Sequence, residues 1–314
     1  MTDPVNLVDA SYAAARWGWY LAVFLVVGAG SYAPFFFRLP SLTASHPGVG
    51  RELTRRAARL GFGAAIALLL LAMLRLYLQA RTLNDPAEPL TTEFFRAVLG
   101  TRWGKGWQYQ TAMGILALIG FTAARGGKRW GWLLGLASCA GLGLTAGITG
   151  HASSAKSGSL GLLLDGAHLL AGALWLGGLA VLFVAGLGAC TSVPAAERPA
   201  VLGVLVAGFS RRALIVAPLT VALGIWLAAR YLGWVWPLHL FESGYGWVLA
   251  AKLAALAGVG ALGAYNWRIT QPGLSKADGE ARLRRCSALE LWFGVILLGL
   301  TAVLVALPFP EGRM

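Results

Sequence analysis

Eight long apolar stretches make up most of this chain, and they constrain its fold more than any other feature. Hydrophobic residues account for 57% of the sequence and charged residues for only 12%, whereas soluble domains average about 25% charged residues. A helix of about 20 apolar residues crosses a hydrocarbon core roughly 30 Å thick. We therefore predict an integral membrane protein whose spans have the approximate bounds 12–37, 58–80, 105–124, 130–149, 160–188, 210–230, 246–267 and 286–307.

The spans are predicted to be helices. Backbone polar groups in lipid are satisfied only within helices or closed barrels. Runs such as 64–73 lack the alternation of apolar and polar residues that is typical of barrel strands. The expected fold class is therefore all-α, a polytopic membrane protein with about eight transmembrane helices in a single integral membrane domain over residues 1–314.

Lysine and arginine residues are concentrated in the loops after the first, third, fifth and seventh spans. Positively charged loops stay in the cytoplasm, so both termini are expected outside, on the periplasmic side of a bacterial inner membrane. The formal net charge of +13 belongs to these loops, and the expected partner is the lipid bilayer rather than nucleic acid. Segments 51–59 and 195–212 predict basic interfacial helices that lead into spans, and 92–99 predicts a short helix on the outer surface.

A short repeat relates two parts of the chain. Residues 101–104 (TRWG) begin the third span and residues 243–246 (SGYG) begin the seventh, with Gln110 and Lys252 at matching offsets. Because four spans separate the copies, both copies point the same way, a plan known in transporters. The repeat predicts two parallel four-helix halves, and chance similarity between apolar helices is the alternative. The predicted halves are 1–150 and 151–314.

Two imidazoles and a carboxylate lie at the junction of the fourth and fifth spans. His151 follows the fourth span, and Asp165 and His168 share one face in the first turns of the fifth. The short loop 152–159 returns the chain close to its exit point, so the two histidines can form a site suited to copper, zinc or haem iron. Asp165 can orient a ligating His168, act with it in a proton relay or pair with Lys252. The structural alternative is a His168 that hydrogen-bonds a neighbouring helix.

Other candidate groups lie in the helices around these residues. Met73 and Met113 fall in the outer halves of their helices, where a thioether can join a copper site, and core packing is the alternative. Arg75 is expected to extend its charge to the outer surface. Glu290 is expected to pair with Arg284 or its neighbour, or to act as an exit-side group.

Motifs of hydrolases, ATP-driven pumps and dinucleotide-binding enzymes do not occur in this sequence in a credible context. We therefore assign no catalytic residues. Trp175 follows His168 by about two turns on nearly the same face, and Gly177 and Gly178 beside it allow a close helix approach. Packing is the alternative reading of Trp175.

The sequence pattern as a whole resembles the copper-resistance protein D (CopD) family. The residues that carry the resemblance are Gly150-His151-Ala152, Asp165-x-x-His168, Trp175-x-Gly177-Gly178-Leu179, Phe209-Ser210, Tyr245-Gly246, Lys252-Leu253, Asn266-x-Arg268 and Glu290. The resemblance implies an eight-helix inner-membrane protein that moves copper across the cytoplasmic membrane, often supplied by a periplasmic copper-binding partner of the CopC type. It also implies that His151 and His168 are the copper ligands. Four further residues match recurring positions of the family and are expected in the second shell or a relay, namely Asp165, Trp175, Lys252 and Glu290.

Three functions are compatible with these residues. The leading hypothesis is a copper importer that takes Cu(I) or Cu(II) at the outer face through His151 and His168. A cation that moves inward across 100 mV gains about 2.3 kcal/mol. The second hypothesis is a b-type cytochrome or quinone-linked redox protein with haem b on the same histidines. The third is a copper-insertion or assembly factor that holds copper without transport.

Overall fold

The computed structural model describes residues 4–32, 45–148, 158–233, 237 and 241–307. Within these residues the chain forms nine helices and no strand. The helices are α1 (Pro4–Gly30), α2 (Pro47–Leu83), α3 (Thr92–Gly100), α4 (Arg102–Arg125), α5 (Trp130–Ala146), α6 (158–192), α7 (Arg198–Leu232), α8 (Gly244–Tyr265) and α9 (Gly279–Ala306). The all-α prediction is therefore confirmed.

Six of the described helices, α1, α2, α6, α7, α8 and α9, contain segments long and apolar enough to cross a membrane. Helix α5 is apolar but shorter, and α4 begins with Arg102 and contains Lys105. The protein is thus a polytopic membrane protein, as predicted. The number of eight spans and the outer position of both termini stay predictions.

Several helices are longer than the predicted spans. Helix α2 begins at Pro47 and α7 at Arg198, so the basic segments that were predicted to lead into spans are continuous with the apolar helices. Both helices have proline in the first turn, where its missing N–H costs nothing. The predicted short helix is present as α3, and Thr91 caps it by accepting from the Phe94 amide at 3.2 Å, whereas its position on the outer surface stays a prediction.

The two copies of the repeat begin their helices in the same way. The Thr101 hydroxyl accepts from the Gly104 amide at 3.0 Å, and the Ser243 hydroxyl accepts from the Gly246 amide at 3.1 Å. Each contact satisfies one of the free N–H groups at a helix N-terminus. The repeat therefore includes a shared helix cap, while the division into two parallel halves stays a prediction.

Helix α1 occupies the centre of the bundle. It packs against α2, α5, α6 and α9, and Val23, Val26 and Val27 on this helix are fully buried. Helices α7 and α8, which follow one another in the chain, scarcely contact each other, and α8 packs mainly against α9. The N-terminal side of the bundle is therefore closely packed, whereas the C-terminal side is open between α7 and α8.

Helix α6 is irregular along its second half. It begins as an α-helix over Gly158–Gly172, then forms π-helical turns at Ala173–Gly177 and Leu182–Gly186 and ends in a 3₁₀ turn at Cys190–Ser192. Turns of the π type widen a helix and are often found at functional sites. The first of these turns, which contains Trp175, lies where α6 meets α1, and the second packs against α2.

The contact between α1 and α6 is made backbone to backbone through glycine. A Cβ atom at Gly177 would collide with the Phe24 carbonyl oxygen, and one at Gly28 would collide with the backbone of Gly177. Small residues at such positions let membrane helices approach closely, where dispersion and weak hydrogen bonds hold them together. No other residue type fits either position without separating the two helices.

We expect Gly177→Ala to lower the melting temperature of the detergent-solubilised protein by several degrees, because overpacking a tight interface costs about 1–3 kcal/mol. Gly63→Ala on α2 is the matched control, since a Cβ there meets nothing within 4 Å. The control is expected to melt at the wild-type temperature or above it. Equal melting temperatures for the two variants would contradict the close contact between α1 and α6.

Candidate functional site

The His168 side chain extends from α6 toward α7. Its Nδ1 lies 3.0 Å from the backbone carbonyl oxygen of Thr220. A carbonyl oxygen only accepts hydrogen bonds, so in the neutral ring this contact places the proton on Nδ1 and leaves the lone pair on Nε2. Metal-binding histidines commonly have this arrangement, in which one ring nitrogen donates to a carbonyl and the other binds the metal.

Gly224 on α7 makes room for the His168 ring. A Cβ atom at Gly224 would lie 3.0 Å from Cε1 and 3.8 Å from Nε2 of the ring. Thr220 and Gly224 are one turn apart, so the ring lies along the backbone of a single turn of α7. The hydrogen bond to a neighbouring helix, expected as the structural alternative, is present and orients the ring. Metal binding by His168 stays a prediction.

Asp165 lies one turn before His168. Its hydrogen-bond partner is not Lys252, which the sequence analysis considered, but Tyr231. The Tyr231 hydroxyl of α7 donates to Asp165 Oδ2 at 3.4 Å. In the described part of the chain no ion pair joins Asp165 to Lys252, contrary to that alternative. Lys252 of α8 instead lies within electrostatic range of His168. The positive charge of Lys252 therefore opposes a cation bound at His168.

Arg75 is buried, and the expectation that it extends to the surface is wrong. The side chain is 2% exposed, and its guanidinium carbon lies 4.4 Å from the centre of the Trp19 ring. Its Nη1 donates to Gln110 Oε1 at 3.4 Å, and Gln110 Nε2 donates to the Thr145 carbonyl at 3.2 Å. Helices α1 and α4 cover the charge, so it cannot reach the interface. The only sequence signal was a lone arginine in an apolar run.

The two methionines lie in different environments. Met73 is 47% exposed on the outer surface of α2. Met113 packs against α5, where a Cβ at Gly141 would collide with its sulfur atom. These positions fit lipid contact and helix packing, respectively. Copper ligation by either methionine stays a prediction.

A cavity of about 550 Å³ lies between α6, α7, α8 and α9. Trp175, which is 6% exposed, contributes to its wall, and Glu290 and Asn266 lie at its polar end. Asn266 Nδ2 donates to Glu290 Oε2 at 3.0 Å. The expected ion pair between Glu290 and Arg284 is wrong, because Arg284 pairs with Glu280 at 2.9 Å, one turn away on α9. Glu290 faces the interior instead.

The remaining histidines are divided between described and undescribed parts of the chain. His151, the second predicted ligand, lies outside the described residues, and so does His239. His46 is part of the described chain, and its Nε2 lies 3.1 Å from Glu197 Oε2. Among the residues that the structure describes, no group of three His, Cys, Asp or Glu side chains could hold a metal ion. The two-histidine site therefore stays a prediction.

Two models of known protein families match this chain. The family model described as Copper resistance protein D-like, N-terminal domain, matches residues 5–162, and the one described as Copper resistance protein D matches residues 203–304. The chain belongs to the copper resistance protein D family. The predicted resemblance is thereby confirmed, together with a multi-pass location in the inner, cytoplasmic membrane.

One curated relative of this CopD-family chain is the Copper transport protein CutJ of Bacillus subtilis (strain 168). The two sequences are 25% identical over 317 residues, which cover 97% of this chain and 54% of CutJ. The chain thus spans about half the length of the curated relative that it matches. No solved structure matches the chain.

We expect Gly224→Ala to weaken copper binding by about tenfold, the lower end of losses seen when groups that orient a metal ligand are disturbed. The added methyl would press on Cε1 and displace the His168 ring from the Thr220 carbonyl. Gly203→Ala on the same helix is the control, because a Cβ there meets nothing within 4 Å. Competition with a chromogenic Cu(I) chelator measures both affinities. Equal affinities would show that the ring orientation does not matter for copper.

Proposed function

We propose that this CopD-family protein carries copper across the cytoplasmic membrane and takes it at the outer face through His151 and His168. The observation that carries the proposal is the hydrogen bond between His168 Nδ1 and the Thr220 carbonyl, which leaves Nε2 as a metal donor. The similarity to a protein named as a copper transport protein supports copper as the cargo. Imidazole nitrogen is a suitable ligand for copper in either oxidation state.

The packing of α5 against α6 supports the participation of His151. His151 lies in the segment between the end of α5 at Ala146 and the start of α6 at Gly158. The two helices are in close contact, because a Cβ at Gly166 would collide with the Gly143 carbonyl oxygen. The proposal requires that His151, which lies outside the described residues, comes within reach of the same metal ion as His168. Asp165 lies on the same part of α6 and accepts from the Tyr231 hydroxyl of α7.

Lys252 supports release of the ion rather than tight storage. A transport site must bind its ion strongly enough for entry and weakly enough for departure. The positive charge of Lys252, within electrostatic range of His168, lowers the affinity of the site for a cation. The cavity between α6 and α9 continues from Trp175 to Glu290 and offers the inward route. The membrane potential supplies about 2.3 kcal/mol per charge for each 100 mV.

The proposed donor is a periplasmic copper-binding protein of the CopC type, which would deliver copper to the outer histidines. The methionines are not needed in this proposal, because Met73 faces outward and Met113 packs against α5. In this proposal copper binds at His168 and then passes inward, so copper is the ion that the protein transports.

We expect His151→Ala and His168→Ala each to reduce copper uptake into proteoliposomes by at least about tenfold, because one imidazole alone is a weak copper site. His46→Ala is the matched control, since His46 pairs with Glu197 away from the His168 environment. Radioactive copper and an inward-negative potential give the flux. Uptake by the double histidine variant at the wild-type rate would contradict the site.

The same preparation separates the two other hypotheses from transport. A Soret band that is lost in His168→Ala would favour the haem protein. Copper binding without flux above that of empty vesicles would favour the assembly factor.

A further inference from the structure

Glu290 is the only buried carboxylate among the described residues, with 3% of its surface exposed. It lies within the apolar helix α9, which is long enough to cross the membrane. Its Oε2 accepts from Asn266 Nδ2, and its Oε1 lies beside α8, 3.2 Å from where a Cβ of Gly263 would stand. Such a group in a membrane helix requires compensation of its charge.

Among the described residues, the positive side chains nearest to Glu290 make their contacts with other residues. Of the described residues that line the cavity, Arg268 is the only other charged one, and its guanidinium carbon lies 5.7 Å from the centre of the Trp267 ring. Arg284 pairs with Glu280. The other polar residues at this end, Asn266 of α8 and Ser287 of α9, carry no charge. No Lys, Arg or His in the described part of the chain forms an ion pair with Glu290.

A series of buried oxygen atoms leads from Glu290 along the end of α8. Asn266 Oδ1, Thr270 Oγ1 and Gln271 Oε1 are each inaccessible and have no hydrogen-bond partner among the described residues. They lie on or directly after the π-helical turn Asn266–Thr270. Buried polar oxygens without protein partners usually bind ordered water. The series therefore marks a hydrated route from the carboxyl group toward the end of α8.

The chemistry of this end of the cavity suits a proton better than copper. Carboxylate, amide and hydroxyl oxygens are hard donors, whereas Cu(I) prefers sulfur and nitrogen. An uncompensated carboxylate in an apolar cavity is stable when it holds a proton, and it becomes stable as an anion when a cation enters the cavity. One group can thus keep the cavity electrically neutral with and without the ion.

We propose that Glu290 is a proton-binding site that gives up its proton as a copper ion passes through the cavity. The O–H bond of the carboxylic acid breaks, the proton moves along the waters at Asn266, Thr270 and Gln271, and the carboxylate balances the charge of the ion. When the ion leaves, the carboxylate takes up a proton again, and no electron is transferred. The coupling to copper rests on the proposed function, whereas the proton site itself does not.

The test uses infrared difference spectroscopy of the whole protein in proteoliposomes, with Cu(I) as the probe. The wild type is expected to show the carbonyl band of a protonated carboxylic acid and to lose it when Cu(I) is added. Glu290→Gln keeps an oxygen that accepts from Asn266 and is expected to lack the band and its loss. Glu280→Gln on the same helix alters only a half-buried ion pair with Arg284 and is expected to behave as the wild type.

Glu290→Asp keeps a carboxyl group and is expected to change the frequency of the band, so it identifies the proton site even if Glu290→Gln does not fold. A wild type that carries copper and shows no such band at neutral pH, where exposed carboxyl groups are ionised, overturns the inference and leaves the proposed function intact. A Glu290-dependent band that persists when Cu(I) is added and carried overturns the coupling. A band without copper flux in the wild type overturns the proposed function and the coupling with it.

Discussion

The backbone contact between α1 and α6 at Gly28 and Gly177 is the interaction on which the arrangement of this protein depends. It holds α6 against the central helix at the point where α6 widens into π-helical turns. Since lipid supplies no hydrophobic force between helices, such close packing must position them. His168 lies about two turns before this contact and Trp175 lies within it. The positions of both residues relative to the central helix therefore depend on a steric requirement for glycine.

The two sides of the bundle compensate buried charge in different ways. On the N-terminal side, Arg75 is covered by α1 and α4 and is held by the Trp19 ring and the Gln110 amide. On the C-terminal side, α7 and α8 diverge, and Glu290 faces a cavity with one amide donor. A closely packed side with a permanently held charge provides a frame. In the proposed function, the open side with the Glu290 carboxyl group is where the ion passes.

Apolar stretches and basic loops are local features, so the sequence predicted them well. Within the described residues, the eight long helices and the short helix α3 follow from composition and short-range patterns. Predictions about partners were less successful. Asp165 and Lys252 were considered as a pair, and Glu290 and Arg284 were expected to pair, because opposite charges lay at similar depths. Depth in the membrane does not determine the direction in which a side chain points.

The sequence by itself determined that the chain is an all-α membrane protein of the copper resistance protein D family. It also singled out His168, Asp165 and Glu290, because ionisable groups within apolar helices are costly and usually have a function. The tertiary structure alone decided that His168 donates to Thr220, that Arg75 is enclosed and that Glu290 lies in a cavity where no described Lys, Arg or His forms an ion pair with it. The physical reason is that hydropathy depends on each residue and its neighbours in the chain. Hydrogen bonds and charge compensation depend on the rotation of packed helices about their axes, which backbone contacts between distant glycines determine.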